Sequence, residues 1–216
     1  MTIRIVLADD HKILRDGLRS LLEQQSDMQV VAEADNGRAT VKLAQELNPD
    51  VVVMDIGMPD LNGIDATKQI VTKAPGVKVI ALSMHSDKRF VQGMLSAGAS
   101  GYLLKDSAFD ELARAIQVVV ADQTYLSPKV AGVVVESMVR KTARRPARVS
   151  ADLSDREREV LQLMSEGKST KQIAATLDVS IKTIETHRSR IMDKVGIHSV
   201  AELTKFAIRE GLTSVE

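Results

Sequence analysis

Five side chains in the first half of the chain are of the kinds that handle phosphorus. They are the carboxylates of Asp9, Asp10 and Asp55, the hydroxyl of Ser83 and the ammonium of Lys105. Three carboxylates brought together repel one another, and a hard cation relieves that cost; oxygen ligands of this kind suit Mg²⁺. A carboxylate beside such a cation is a workable nucleophile toward phosphorus and would form an acyl phosphate. The cation and an ammonium neutralise charge on the phosphoryl oxygens, and a hydroxyl can hydrogen-bond one of them. Asp55 is the residue on which that chemistry would end. Any one of the five could equally be a solvated turn residue; the chemistry requires that they meet.

The elements needed to make them meet are legible. Each of these residues follows an apolar run: Ile3–Ala8 before Asp9, Val51–Met54 before Asp55, Val77–Leu82 before Ser83, and Gly101–Leu104 before Lys105. Asp55 itself leads into Gly57, Pro59 and Asn62-Gly63, all turn formers. Between the runs lie stretches with apolar residues at helical spacing, such as Ile13, Leu14, Leu18, Leu21 and Leu22 within His11–Gln25, or Ala39, Val41, Leu43, Ala44 and Leu47 before Asn48-Pro49. Gln29–Ala34 is a further strand, and helices are expected near Ile64–Thr72, over Asp87–Ala97 ending at Gly98, and over Phe109–Ala121. Alternating strands and helices predict an α/β, doubly wound, five-stranded parallel sheet over about residues 1–121. Right-handed crossovers put every strand's carboxyl end on one edge, the edge where open α/β sheets bind ligands.

Composition narrows the remaining classes. The chain has 216 residues, no cysteine, 44% hydrophobic and 27% charged residues. That excludes a disulfide framework and a thiolate metal site, and it fits a globular chain of one or two domains. No apolar run approaches the roughly 20 residues of a membrane span, and the N-terminus does not read as a signal peptide, so a cytoplasmic location without membrane association is expected. Net charge is zero, yet residues 1–121 carry 13 Lys+Arg against 16 Asp+Glu and the remainder 16 against 13. Much of the second half's excess sits in Arg140, Lys141, Arg144, Arg145 and Arg148. With Pro146 and little periodicity, Arg140–Asp152 reads as a flexible tether, its charge serving solubility or secondary contact with nucleic-acid phosphates. Ahead of it, Tyr125 and Leu126 are expected to dock on the first half, and Pro128 to open a connecting helix with Val130, Val133, Val134, Met138 and Val139 on one face.

After the tether the pattern becomes all-helical. Ser154 and Glu157 form a capping-box signature ahead of Val160, Leu161, Leu163 and Met164. Ser169 caps a short second helix with Ile173, Ala174 and Leu177 inward. Asp178-Val179 turns the chain, Ser180 caps a third helix, Ile181–Val195, and a fourth runs Val200–Arg209 to Gly211. Two short helices across a tight turn form a helix-turn-helix. Ile184, Ile191 and Val195 mark the buried face of the third helix, leaving Lys182, Glu185, Thr186, Ser189 and Arg190 opposite, with Arg188 and Lys194 toward the flanks. Residues 168–194 hold six bases against three acids. Such a mixture suits the major groove: cations to phosphate or guanine, Glu to cytosine, a Thr methyl to thymine. With Lys171, Ser180 and Thr183 these residues are the expected DNA contacts.

The set Asp9-Asp10, Asp55, Ser83, Tyr102 and Lys105 resembles the receiver domain of bacterial two-component response regulators, over residues 1 to about 121. Leu153-Ser154-Asp155-Arg156-Glu157, Gly167-Lys168-Ser169, Lys171-Gln172-Ile173-Ala174 and Thr183-Ile184-Glu185-Thr186-His187 resemble the LuxR-type helix-turn-helix, over about 152–212. Together they resemble a NarL/FixJ-type response regulator, with a linker carrying a connecting helix at 122–151. The resemblance implies Asp55 as phospho-acceptor, Asp10 as Mg²⁺ ligand with Asp9 assisting, the Gly57 carbonyl as a further ligand, and Ser83 and Tyr102 as switch residues. Lys105 is implied to bind the phosphoryl group. It further implies a sensor histidine kinase as donor, a homodimer on double-stranded DNA formed through Val200, Ala201, Thr204, Lys205 and Ile208, RNA polymerase as a further partner, and no enzymatic activity beyond the receiver's own phosphoryl transfer and dephosphorylation. The chain departs from the pattern in three places. Asp106 stands where many receivers have a cis proline, and Gly57 offers no side chain above Asp55. Glu185 replaces the usual lysine of the third helix. His85, two residues past Ser83, either orients a hydrolytic water or is a surface loop residue. Two rival readings remain for the first half: a phosphotransferase or phosphatase acting on an outside substrate, and a receiver that works unphosphorylated as a plain dimerisation module.

Overall fold

The computed structural model of the chain describes residues 2–84, 86–140 and 153–213, with side chains described outside 137–140. The chain forms two compact units, 1–143 and 144–216. Of the expected tether Arg140–Asp152, Arg140 ends a helix that begins at Pro128, and the rest, with His85, lies outside the described residues.

The first unit alternates strand and helix: β1 Ile3–Ala8, α1 Lys12–Glu23, β2 Met28–Ala34, α2 Gly37–Leu47, β3 Val51–Asp55, α3 Gly63–Lys73, β4 Lys78–Ser83, α4 Lys88–Ala97, β5 Gly101–Leu104 and α5 Ala108–Val120. β6, Tyr125–Leu126, and α6, Pro128–Arg140, complete it. All strand pairs are parallel, in the order β2-β1-β3-β4-β5-β6. The five expected strands are present, and the docking expected of Tyr125 and Leu126 takes the form of a sixth, two-residue strand on the β5 edge.

Side chains alternate across a strand, and the pattern of β3 follows that rule. Val51 and Val53 join the cluster covered by Leu18 and Leu22 of α1 and Leu112, Ile116 and Val119 of α5. Val52 and Met54 join the opposite cluster, with Val41, Ala66, Ile70, Val91 and Met94 from α2, α3 and α4. Every residue of β3 is buried, and each large apolar side chain so placed contributes about 1.5–3 kcal/mol. Such double-sided burial explains the unbroken apolar run that precedes Asp55.

The turn after β3 is held by close packing. Asn62 caps α3 by accepting the Asp65 N–H at 3.0 Å, and the Gly63 N–H donates to the Ile56 carbonyl at 2.9 Å. A Cβ on Gly63 would collide with the carbonyl of Asp55. Glycine is therefore required where the helix returns across the end of β3.

The second unit is helical: α7 Asp155–Ser165, α8 Thr170–Thr176, α9 Ile181–Val195 and α10 Val200–Arg209. Ser154 and Glu157 form the predicted capping box, and Ser169 with Gln172 forms another. Asp178 makes the turn between α8 and α9 at φ +51°, a conformation Asp tolerates. Val160, Leu161, Leu163, Ile173, Ile184, Ile191, Leu203 and Ala207 are the centre of one apolar cluster. Among the described residues no helix is long and apolar enough to cross a membrane.

Candidate functional site

Register alone carries the residues of the first unit together. Ala8 pairs with Met54, so Asp9 emerges beside Asp55. Asp55 pairs with Leu82 and Ser83 with Leu104, so Ser83 and Lys105 emerge one step further along the same edge. The Lys105 ammonium lies 2.7 Å from Asp9 Oδ2 and 3.0 Å from Asp55 Oδ2. Asp9, Asp55 and Ser83 are all buried. Two carboxylates thus share one cation out of water.

That arrangement perturbs ionisation in opposing ways. Burial, and then the neighbouring Asp9 carboxylate, push Asp55 above the usual carboxylate range, against the pull of Lys105 and of the Gly57 N–H that bonds it. Burial would lower Lys105, but Asp55 and Asp9 outweigh it and the ammonium is held above the usual lysine range.

The third carboxylate, Asp10, is partly exposed, and its Oδ1 lies 2.8 Å from His11 Nδ1. His11 Nδ1 is also 3.1 Å from Asp9 Oδ1, and the His11 N–H donates to that oxygen at 2.9 Å. One potential ligand atom from each of Asp9, Asp10, His11 and Asp55 falls within 4.8 Å of the others. Asp10 Oδ1 is buried and accepts no hydrogen bond among the described residues. A carboxylate oxygen inside an acidic cluster, with only a histidine ring nitrogen beside it, fits a cation. Sequence reading missed His11; its place directly after Asp10, at the start of α1, is the signal that was available. Gly57 is exposed, and a Cβ there would meet only Asp55 Oδ2, at 3.9 Å, leaving the space above Asp55 open.

Tyr102 is fully buried, and burial, offset by a hydrogen bond from Ser83, pushes its hydroxyl up to about 12. The ring lies inside and is bonded to Ser83. Its backbone is joined to the connecting segment: Leu126 pairs with Tyr102, and the Ser127 N–H donates to the Tyr102 carbonyl at 3.0 Å. The Tyr125 hydroxyl donates to Glu111 at 2.8 Å, Lys129 reaches Asp106 at 2.9 Å, and Val130 of α6 is fully buried in the cluster that holds Tyr102. Asp106, in the place of the family's proline, is therefore tied to α6. No cis peptide occurs among the described residues.

In the second unit the expected DNA contacts divide. Lys171, Lys182, Glu185, Ser189 and Arg190 are exposed, and they have no side-chain partner among the described residues. The other five are engaged internally. Ser180 caps the Thr183 N–H at 3.1 Å, and its hydroxyl lies 2.8 Å from that of Thr183. Thr186 Oγ1 donates to the Lys182 carbonyl at 2.9 Å, Arg188 donates to Thr170 Oγ1 at 2.8 Å, and Lys194 pairs with Glu157 at 2.8 Å. The pairing of Lys194 and Glu157 gives the capping box a second function, since that glutamate is 3% exposed and needs a cation. Burial opposes it, but Lys194 and the Ser154 N–H hold Glu157 below the usual carboxylate range. On α10, Leu203 and Ala207 turn into the core; Val200, Ala201 and Lys205 are exposed and Thr204 and Ile208 half-buried, so the expected dimerisation residues form an outward stripe.

The response regulator receiver domain family matches residues 5–117, and the luxR family of bacterial regulatory proteins matches residues 151–207. The chain is 35% identical to the transcriptional regulatory protein DegU of Brevibacillus brevis, over 99% of this chain and 96% of that one. It is 37% identical to the oxygen regulatory protein NreC of Staphylococcus aureus, over 97% and 99%. Among solved structures it resembles a LuxR-family two-component response regulator from Aurantimonas at 38% identity and TM-score 0.62, over 64% of this chain and 99% of that one. A response regulator RcsB–DNA complex matches at 27% identity and TM-score 0.59, over 95% and 98%.

Proposed function

Because the chain belongs to the response regulators that join a receiver domain to a LuxR-type helix-turn-helix, and is a transcription regulator of that class, we propose that a sensor histidine kinase phosphorylates Asp55 and that this phosphorylation controls dimerisation and sequence-specific DNA binding by α9. The observation that carries the reading is the sharing of one buried ammonium, Lys105, by Asp9 and Asp55 beneath the opening at Gly57.

The chain's own groups account for the transfer. An oxygen of Asp55 attacks phosphorus through the space that Gly57 leaves open, and the phosphorus–nitrogen bond of a phosphohistidine donor breaks as the new phosphorus–oxygen bond forms. Lys105, already within 3.0 Å of Asp55, pairs with the arriving phosphoryl oxygens, and Ser83 hydrogen-bonds another. Asp9, Asp10 and Asp55, with the Gly57 carbonyl, would hold Mg²⁺, which when bound supplies the positive charge that offsets carboxylates and phosphoryl oxygens alike. When Ser83 turns to the phosphoryl group, its bond to Tyr102 is lost. The disturbance reaches Ser127, Leu126 and α6 through the backbone pairing of Tyr102.

The free residues Lys171, Lys182, Glu185, Ser189 and Arg190 face the groove in this reading, while Arg188 and Lys194 hold the helices together. The outward stripe of α10, Val200 to Ile208, supports a homodimer on DNA, and the site of action is the cytoplasm. The receiver turns over no outside substrate; its chemistry is confined to its own aspartate. The test is labelling of the full chain with acetyl phosphate alongside mobility-shift selection from random duplex DNA. Asp55→Asn is expected to abolish labelling and to weaken binding to the selected operator. Equal operator affinity of labelled, unlabelled and Asp55→Asn protein would overturn phosphorylation control and favour the plain dimerisation module.

A further inference from the structure

The first turn of α9 presents Ile181 in an unusual setting. It is the first helical residue after the Ser180 cap and is 48% exposed. The neighbouring hydroxyls are committed to each other, Ser180 to the N–H and the hydroxyl of Thr183. That leaves an isoleucine and the unpartnered Lys182 as the side chains this turn can offer. The turn contains no acidic residue, whereas α7 opens with Asp155 and Glu157. In a helix-turn-helix the N-terminal residues of the recognition helix are those that reach the base edges.

An isoleucine at that position has one apolar partner available in the major groove, the C5-methyl of thymine. We infer that Ile181 is a specificity-determining residue that selects a thymine by methyl contact in each half-site of the operator. The inference rests on the DNA-binding reading above and extends it to a side chain that polar-residue reasoning passes over. Removing one buried methyl contact is expected to weaken binding about fourfold per half-site.

The experiment uses the full chain treated with acetyl phosphate and an operator selected from random duplex DNA. Each thymine is then replaced singly by uracil, which keeps the base pair and removes the methyl. Wild-type protein is expected to lose about fourfold at one position of each half-site. Ile181→Ala is expected to bind the thymine operator with that same loss and to be indifferent to uracil there. Ile181→Val, which keeps part of the side chain, should fall between. Helical circular dichroism of both variants should match wild type, since the side chain is half exposed. An enriched operator on which wild type and Ile181→Ala show the same uracil penalties overturns the inference alone. A wild-type chain that enriches no sequence overturns the DNA-binding reading and the inference with it.

Discussion

At the carboxyl edge of the sheet, the single ammonium of Lys105 serves both Asp9 and Asp55, with Asp10 beside them and only the His11 ring nitrogen against its inner oxygen. In the helical unit, buried Glu157 is paired with the Lys194 ammonium at 2.8 Å and accepts the Ser154 N–H at 2.7 Å as well. Both regions hold buried carboxylates, yet Asp55 is pushed above its usual range and Glu157 is held below. The difference teaches how to tell chemistry from scaffolding: a buried charge with its full complement of partners steadies a fold, and one left short of partners is waiting for a ligand.

The comparison can be broken most severely at its cations. Lys105→Ala leaves two buried aspartates uncompensated and should destabilise the first unit by about 3 kcal/mol. Millimolar Mg²⁺ should recover much of the loss in a calorimetric scan, and an equal loss with and without Mg²⁺ would show that the cluster does not take a cation. Glu157→Ala should lower the stability of the second unit by about 2 kcal/mol, since it removes both the reciprocal half of a cap and a buried charge-assisted hydrogen bond. Hydrogen exchange in α7 and α9 would read it, and Mg²⁺ should have no effect there.

A smaller change of opposite sign is expected of Asp55→Asn. It leaves Lys105 paired one-to-one with Asp9 and should stabilise the first unit by about 1 kcal/mol while labelling by acetyl phosphate disappears. Destabilisation instead would place Asp55 among the scaffold charges.

The pH dependences should also oppose each other. Asp55, raised in the folded state, costs stability as pH rises out of the ordinary carboxylate range and through its elevated folded value; that slope should vanish in Asp55→Asn. Glu157, lowered in the folded state, contributes stability above the ordinary glutamate range that is lost as pH falls through its depressed value, and Glu157→Gln should remove that acid sensitivity from the second unit. The least effect is expected at Asp106→Ala. Its ion pair with Lys129 joins two exposed side chains, so melting should stay within measurement error. Altered DNA binding at unchanged melting would identify that contact as part of the signal path.

The sheet edge carrying Asp9, Asp55, Ser83 and Lys105 was legible because a few strong rules decide it. Apolar runs of Val51–Met54 type declare buried strands, and parallel topology sends every carboxyl end to one edge, so Asp9, Asp55, Ser83 and Lys105 could be gathered without coordinates. The buried stripe of α9 was readable from the spacing of Ile184 and Ile191 for the same reason, periodicity being a local property. Partner choice was not legible. Lys194 and Arg188 were expected as DNA contacts by charge and position; that they also bond Glu157 and Thr170, 37 and 18 residues away, could not be read from the sequence. His11 escaped notice because a histidine after two aspartates gains meaning only when its ring nitrogen is seen near both carboxylates. Ile181 escaped because an apolar residue at a helix start is ordinarily core, and only its exposure shows otherwise.

The sequence by itself determined which residues would share one sheet edge and which face of α9 would be buried, since strand–helix alternation and helical period follow from patterns a few residues long and right-handed crossovers bring the strand ends together. Tertiary structure alone decided the state of those residues. It placed Tyr102 inside and on Ser83, joined β6 to β5 so that the connecting helix is tied to the Tyr102 strand, and gave Arg188 and Lys194 internal partners while leaving Lys171, Lys182 and Arg190 exposed. The physical reason is range: hydrogen bonds and buried ion pairs form or fail within about an ångström, a distance that spacing along the chain does not specify.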